Sequence, residues 1–384
     1  ETQAYDPVSC PAGDLVIDAM LGTGIDRDLE GPYFAAVNGV NLSGKPILAV
    51  DMPTGINGLT GEVMGVAVDA DVTVSFVGLK LGLFLADGLS HGGELLFDDL
   101  GIPQSVSADM LPGLLLFGAT NLAALLPVRE SGSHKGMFGH VLVVGGNYGM
   151  AGAARMCGEA ALRAGSGLVS VATREANVAA ILSGRPELMV RALEDAADLN
   201  DLIARCSVIA LGPGLGRDEW AQQCFSRLVR VDKPKVLDAD ALNILAEHPQ
   251  HRNDWVLTPH PGEAARLLGV SVAEVQADRL SAVKALQSRY GGAAVLKGHG
   301  TLIAGEQSVP FVVNGGNPGM ATAGMGDVLT GVVAAILGQT GGLQVPAAAA
   351  AYAHALAGDK AATDGERGLL ASDLFQHLRS VLNP

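Results

Sequence analysis

One stretch of this chain combines residue types that can handle phosphate, Asn314 to Thr330, which reads Asn-Gly-Gly-Asn-Pro-Gly-Met-Ala-Thr-Ala-Gly-Met-Gly-Asp-Val-Leu-Thr. It is a glycine-rich loop running into an apolar segment, Val328 to Leu337, that reads as a helix. Gly324 and Gly326 let the backbone turn without a side chain in the way. Successive N–H groups then face one concavity at a helix N-terminus, an arrangement suited to phosphate. Asp327 falls in the first turn of that helix. A carboxylate repels phosphate, so its presence needs a reason. It either caps the helix or takes a proton from a hydroxyl that attacks, or is attached to, phosphorus. The loop alone leaves both open.

Other polar groups carry similar pairs of readings. Lys297-Gly298-His299-Gly300-Thr301 offers a cation, two glycines and a hydroxyl to a phosphate, or is a tight hairpin. His260, between Pro259 and Pro261, orients a substrate or makes a local cap with Glu263. Asp238 and Asp240 bind a metal or polar ligand, or cap the next helix. Gly212-Pro213-Gly214-Leu215-Gly216 lets a ligand approach the backbone or is a sharp turn. His134 and Lys135 form a lid or a solvated loop. Near the start, Gly22-Thr23-Gly24-Ile25-Asp26-Arg27-Asp28 follows a short strand, by itself a weak dinucleotide signal. Asp51, before Pro53, is catalytic or a strand-end cap.

Short apolar runs supply the elements that must position these groups. Asp14 to Asp18 reads as a short buried strand, Ile47 to Val50, Val72 to Phe76 and Glu94 to Phe97 as further strands, with a helix over Pro32 to Asn41. Ser105 to Gly113 reads as a linker. Beyond it come strands at Val141 to Val144, Leu168 to Ala172, Val208 to Leu211, Val236 to Leu237, Val256 to Leu257 and Ala294 to Leu296. An alanine-rich helix follows the Gly145 to Ala153 loop as far as about Ala164, and helices span Pro346 to Thr363 and Ala371 to Leu382. The alanine run Ala347 to Ala351 reads as a helix face. Strand after strand ends in a Gly- or Asp-bearing loop, and in a parallel α/β sheet such ends converge on one crevice.

Composition narrows the function. The chain has 384 residues, 48% of them hydrophobic and 4% aromatic, with 51 glycines and a net charge of −15. The length allows two or three domains. The acidic balance argues against nucleic acid and anionic membrane as partners. Cys10, Cys157, Cys206 and Cys224 show no metal-type spacing and read as buried thiols in a reducing, cytoplasmic compartment. No apolar run reaches the ~18 residues of a membrane span, and no signal segment opens the chain. It begins at Glu1 without methionine, which reads as a fragment with upstream residues missing.

Taken as a set, Lys135-Gly136, Gly145-Gly146, Gly149-Met150-Ala151-Gly152-Ala153, the Gly212 to Gly216 run, Leu237 to Asn243, Leu257 to Glu263, Lys297 to Thr301 and Asn317 to Asp327 resemble the ADP/ATP-dependent NAD(P)H-hydrate dehydratases, in that family's order. The resemblance implies a ribokinase-like, three-layer α/β dehydratase domain over 111–384. Residues 1–110 resemble the C-terminal portion of a Rossmann-like α/β NAD(P)H-hydrate epimerase domain. Together they look like a bifunctional repair protein acting on NADH hydrate or NADPH hydrate, with a homo-oligomer expected.

By position, the resemblance implies that Lys297, Gly298, His299, Gly300, Thr301 and Gly326 contact the adenine nucleotide, ADP or ATP. It implies hydrate contacts for Ala153, Gly214, His260 and Asp327, with Asp327 the acid/base residue. In the epimerase part, Gly22, Thr23, Gly24, Ile25, Asp26, Arg27, Asp28 and Asp51 would bind the hydrate, while Asp18 and Thr54 would help hold K⁺. The implied reaction phosphorylates the hydrate's hydroxyl, a poor leaving group, and eliminates it to regenerate NAD(P)H, with Mg²⁺ on the nucleotide phosphates. The alternatives are a ribokinase-type small-molecule kinase and a non-catalytic dinucleotide-binding protein. Two features depart from the family pattern. Met325 stands where a small residue, commonly Ser or Thr, is expected, and the epimerase's upstream half, with its Gly-Asn-Asn-Gly-Gly-Asp-Gly-type loop, is not in the chain.

Overall fold

A computed structural model of the chain describes residues 13–106, 110–305, 307 and 309–383. Cys10 and part of the expected Ser105 to Gly113 linker lie outside them. The backbone groups into two units, one through Leu114 together with Gln276–Arg279 and the other comprising the remainder.

The first unit holds β1 (Val16–Asp18), β2 (Ile47–Val50), β3 (Val72–Phe76) and β4 (Glu94–Asp98). Among the described residues they form one parallel sheet in the order β1-β2-β3-β4, and β1 at its edge is not the buried strand expected, because Leu15 and Ile17 are exposed. The helix Gly31–Asn41 carries Pro32 in its first turn, where a missing N–H costs nothing. Its Val37 packs with Ile47 and Ala49 of β2 and with Ile25, Leu29, Val68 and Ala70.

The second unit contains β5 (Leu115–Leu116), β6 (His140–Val144), β7 (Leu168–Thr173), β8 (Met189–Ala192), β9 (Val208–Leu211), β10 (Lys235–Leu237), β11 (Trp255–Leu257), β12 (Ala293–Leu296), β13 (Thr301–Ala304) and β14 (Phe311–Val313). They lie in the order β5-β14-β13-β12-β11-β10-β9-β6-β7-β8. From β12 to β8 every pairing is parallel. The middle strands are continuous apolar runs because helices cover both faces of such a sheet. Strands β5, β8, β13 and β14 were not expected. Strands β5 and β8 are largely exposed and so lack the apolar signature of the core, and β13 and β14 pair antiparallel beyond it.

Chain order reverses between β6 and β9, which makes that pair the switch point of the sheet, where ligands settle outside the strands' carboxyl ends. Two helices fix the loop that enters this region. Met325–Thr340 packs against Ala151–Arg163 so closely that a Cβ on Gly331 would lie 2.1 Å from the Cys157 carbonyl oxygen. Gln344–Ala361 lies alongside. Its Ala347 to Ala351 are all buried. Five consecutive buried positions surround a helix, so the run is not the single face expected from the sequence. Cys157, Cys206 and Cys224 are buried free thiols. The expected Ala371 to Leu382 helix starts as a 3₁₀ turn, Ala371–Leu374, and continues as Phe375–Val381.

Candidate active site

The loop of first interest ends where Gly324, at φ 92°, caps the helix Met325–Thr340. The helix therefore starts three residues before Val328, and its first N–H groups have no partner within the helix. Gly326 is already helical, so it does not serve the turn as expected. A Cβ there would sit 3.3 Å from Lys297 Nζ and 3.4 Å from Asp238 Oδ2. Its bareness lets the helix start approach a buried ion pair. Met325, the departure from the family pattern, turns its side chain into the core and adds no bulk to the loop's open side.

That ion pair organises the site. Lys297, at the end of β12, donates to Asp238 Oδ1 at 2.8 Å, with Glu263 Oε2 at 3.8 Å. Asp238, at the end of β10, is 2% exposed. It also accepts from Thr258 Oγ1 at 2.8 Å and from Thr330 Oγ1 at 2.9 Å. One carboxylate thus ties the ends of β10, β11 and β12 to the helix that bears Asp327. The Asp238 and Asp240 carboxylates do not cap the next helix as one expectation had it; Asp238 accepts from Lys297, Thr258 and Thr330. Asp240 Oδ2 instead accepts from Gly216 N–H at 2.8 Å, pinning the loop after β9.

Asp327 feels this arrangement directly. Burial first, and then repulsion from Asp238, raise its pKa from 3.8 to about 7; Lys297 opposes them, and Asp240 adds a little. Burial alone would lower the pKa of Lys297, but Asp238 and Glu263 together raise it. Lys297 therefore stays an ammonium, and Asp327 is poised to exchange a proton near neutral pH. Its position in the first turn satisfies the capping expectation only loosely, because the cap itself is Gly324.

The loops at the switch point lie beside one another. Gly146 N–H donates to the Pro213 carbonyl at 2.9 Å, and Asn147 N–H to that of Gly214 at 2.7 Å. Gly214 has φ 59°, and a Cβ there would meet Met150 Cβ at 2.7 Å and Ala153 Cβ at 3.1 Å. Gly214 and Ala153 are thus brought together. His260 caps the helix Pro261–Leu268: Nδ1 accepts from Gly262 N–H at 3.0 Å, and its own N–H donates to Glu263 Oε2 at 2.8 Å. The ring stays 55% exposed, so capping leaves it a free face. Lys297 to Thr301 forms the hairpin between β12 and β13, with Thr301 Oγ1 donating to the Gly298 carbonyl at 3.0 Å. Gly298 and His299 are exposed on this turn and Gly300 is buried. His134 accepts from Gly136 N–H at 3.2 Å and caps a 3₁₀ turn that begins at Lys135.

Sequence reasoning gave no role to Thr258 and Thr330, although both lie in stretches it singled out, and it missed His354. That histidine is buried in the Gln344–Ala361 helix. Burial lowers its pKa to about 4, against the raising effect of a hydrogen bond to the Met325 backbone.

In the first unit, Asp18 is 1% exposed and accepts from Thr54 N–H and Thr54 Oγ1, each at 2.7 Å. Thr54 Oγ1 lies 3.1 Å from the Leu21 carbonyl. Gly22, Thr23, Gly24, Asp26, Arg27 and Asp28 are exposed after β1, whereas Ile25 turns into the core and offers only backbone outward. Asp51, at φ 72°, pairs with Lys80 and accepts from Phe76 N–H at 3.0 Å. Among the described residues no group of three or more His, Cys, Asp or Glu is placed to hold a metal, and no helix is long and apolar enough to cross a membrane.

A largely parallel sheet whose carboxyl ends meet a glycine-started helix and a buried ion pair is an α/β ligand-site architecture. Residues 141–380 match the family model of NAD(P)H-hydrate dehydratase, and residues 2–82 that of the YjeF-related protein N-terminus. The bifunctional NAD(P)H-hydrate repair enzyme of Coxiella burnetii is 47% identical over 373 residues, 97% of this chain and 76% of that one. That of Escherichia coli K12 is 45% identical over 97% of this chain and 72% of its own. Among solved structures, a ribokinase-like superfamily protein of Enterococcus faecalis aligns with TM-score 0.67 and 32% identity over 71% of this chain and 96% of its own. The ADP/ATP-dependent NAD(P)H-hydrate dehydratase of Bacillus subtilis, co-crystallised with ATP/Mg²⁺, aligns with TM-score 0.63 and 31% identity over 70% of this chain and 98% of its own. The chain belongs to the bifunctional NAD(P)H-hydrate repair enzymes, with a ribokinase-like dehydratase part and an epimerase-related N-terminal part. It is a nicotinamide nucleotide repair enzyme.

Proposed function

We propose that residues 111–384 dehydrate the S epimer of NADH hydrate or NADPH hydrate while converting ADP to AMP and phosphate. The feature that supports this most is Asp327, its carboxyl pushed up to about 7 by burial and Asp238, in the first turn of a helix whose first N–H groups have no partner within the helix. The Asp327 carboxylate takes the proton of the hydrate's hydroxyl as that oxygen attacks the terminal phosphorus of ADP, and the bond from phosphorus to AMP breaks. The amides of Ala323 to Gly326 hold the charge on the transferring phosphoryl group. The phosphorylated oxygen then leaves as phosphate, the adjacent ring carbon loses a proton, and the ring double bond returns.

Lys297 keeps Asp238 neutralised beneath the loop, and the Lys297 to Thr301 hairpin with Gly326 faces the nucleotide. Gly214, Ala153 and the exposed ring of His260 face the hydrate. Mg²⁺, when bound, neutralises phosphate charge; with no protein cage among the described residues, the donor set fits an ion carried on the nucleotide.

In residues 1–110, Gly22 to Asp28 and Asp51 are proposed to contact the hydrate, with exchange of the R and S epimers assigned to the full-length N-terminal domain. The oxygens of Asp18, Thr54 and Leu21 suit K⁺, a cation that takes oxygen ligands. The proposed assembly is a homo-oligomer, and the proposed compartment is the cytoplasm.

Incubating the chain with NADH hydrate and Mg²⁺, with and without ADP, tests the central reading. Absorbance of reduced nicotinamide should return only with the nucleotide. A phosphorylated hydrate that accumulates without NADH would make the chain a kinase.

A further inference from the structure

The amide-bearing loop is held from one side by the Gln344–Ala361 helix. Asp359 Oδ2 accepts from Gly316 N–H at 3.0 Å, and Asp359 Oδ1 accepts from Asn317 Nδ2 at 3.0 Å. Ala355, Gly358 and Asp359 share one helix face by their spacing. The first two are small where the loop arrives. A Cβ on Gly358 would lie 2.3 Å from Met320 Sδ, and one on Gly315 would lie 3.4 Å from Ala355 Cβ. The far end of the loop meets the same helix through His354 and the Met325 backbone.

The carboxylate also fixes which way Asn317 points. A carboxylate only accepts, so Asn317 must offer it Nδ2, and this sends Oδ1 inward. Among the described residues that oxygen is buried without a hydrogen-bond partner. A buried, unpaired acceptor is destabilising. Asn317 nevertheless stands there, immediately before the 3₁₀ turn Pro318–Met320 that leads to the phosphate loop.

We propose that Asp359 is a positioning residue for phosphoryl transfer: by clamping Gly316 and Asn317 it sets the path of the chain into the Ala323 to Gly326 amides. The inference rests on the dehydratase reading above. It assigns Asp359 no contact with substrate. Its action runs through a loop whose displacement by about 1 Å costs on the order of 10²-fold in rate.

The test is a swap of donor and acceptor. Asp359→Ala removes both hydrogen bonds, and Asn317→Asp sets two carboxylates face to face. Each should lower single-turnover rate at saturating ADP and hydrate by about 10²-fold, with a smaller change in the apparent constant for the hydrate. The double variant, Asp359→Asn with Asn317→Asp, restores both bonds: the oxygen of the introduced amide accepts from Gly316 N–H, and its NH₂ donates to the introduced carboxylate. The pair also keeps net charge and leaves an oxygen where Asn317 Oδ1 stood. It should recover at least about tenfold of the loss.

A folded Asp359→Ala chain with unchanged rate overturns the inference. So does a folded double variant as slow as Asn317→Asp, which decides the matter even if Asp359→Ala fails to fold. The parent chain runs in the same assay; if it turns over no hydrate, the dehydratase reading fails and this inference with it.

Discussion

Replacing Asp327 by Asn separates a proton-transfer role from a structural one. Asn keeps the size and the first-turn compatibility of Asp, so the loop should remain folded. It cannot act as a base, and loss of a general base costs ~10²–10⁴-fold in rate. The stability effect runs the other way. In the folded chain the carboxyl pKa rises from 3.8 to about 7, chiefly through burial and Asp238. Between those values the folded state holds a proton that the unfolded state has released, so stability falls as pH rises across the window. Above about pH 7 the cost is complete. Roughly three units at ~1.36 kcal/mol each put its upper bound near ~4 kcal/mol. Asn carries no such cost. The variant should therefore melt higher than the parent at pH 8, with the gap closing toward pH 4. Single-turnover kinetics at saturating ADP and hydrate, with melts at both pH values, read both effects. A variant retaining more than about a tenth of the rate, or melting curves that run parallel at the two pH values, would refute the assignment.

The rate of the parent should rise with pH through about 7 and then level, as the base ionises; a flat profile for the chemical step would contradict this. Lys297→Ala should raise the apparent constant for ADP more than that for the hydrate. It should also lower stability by about 3–5 kcal/mol, because it strands the Asp238 carboxylate; denaturant melts and ligand titrations check the two effects. His260→Ala should weaken hydrate binding with ADP near normal, and lose about 1 kcal/mol of cap. Calorimetry with each ligand separately would show a loss confined to ADP if the assignment is wrong. Gly331→Ala should lower stability by about 1–3 kcal/mol, because its methyl would meet the Cys157 carbonyl oxygen at 2.1 Å; an unchanged melting temperature would count against the tight helix contact.

Much of the sheet was legible in the sequence because its strands are apolar runs ended by Gly or Asp. Ile47–Val50, which stops at Asp51, and Val208–Leu211, which stops at Gly212, have the limits that such runs mark. The His260 cap was legible for a local reason, a Pro at the first helical position and Glu263 three residues on. What escaped is non-local. Asp238 became the hub of the site because Thr330, 92 residues away, and Lys297, 59 residues away, meet it in the fold. No spacing rule reports that. Gly326 was credited with a turn that Gly324 makes, since its true constraint is the ion pair beneath it. The Asp359 clamp reaches back 43 and 42 residues to Gly316 and Asn317, and so left no local signature. In the first unit, Asp51 announced itself by its place before Pro53, but its pairing with Lys80 did not.

The most direct test of the coupling between nucleotide and hydrate is product stoichiometry. The chain is incubated with the S epimer of NADH hydrate, ADP and Mg²⁺, and NADH, AMP and phosphate are quantified together by mass spectrometry and phosphate assay. Phosphoryl transfer to the hydroxyl followed by elimination predicts equal amounts of all three. Accumulation of AMP with a stable phosphate ester, and no matching NADH, would contradict it.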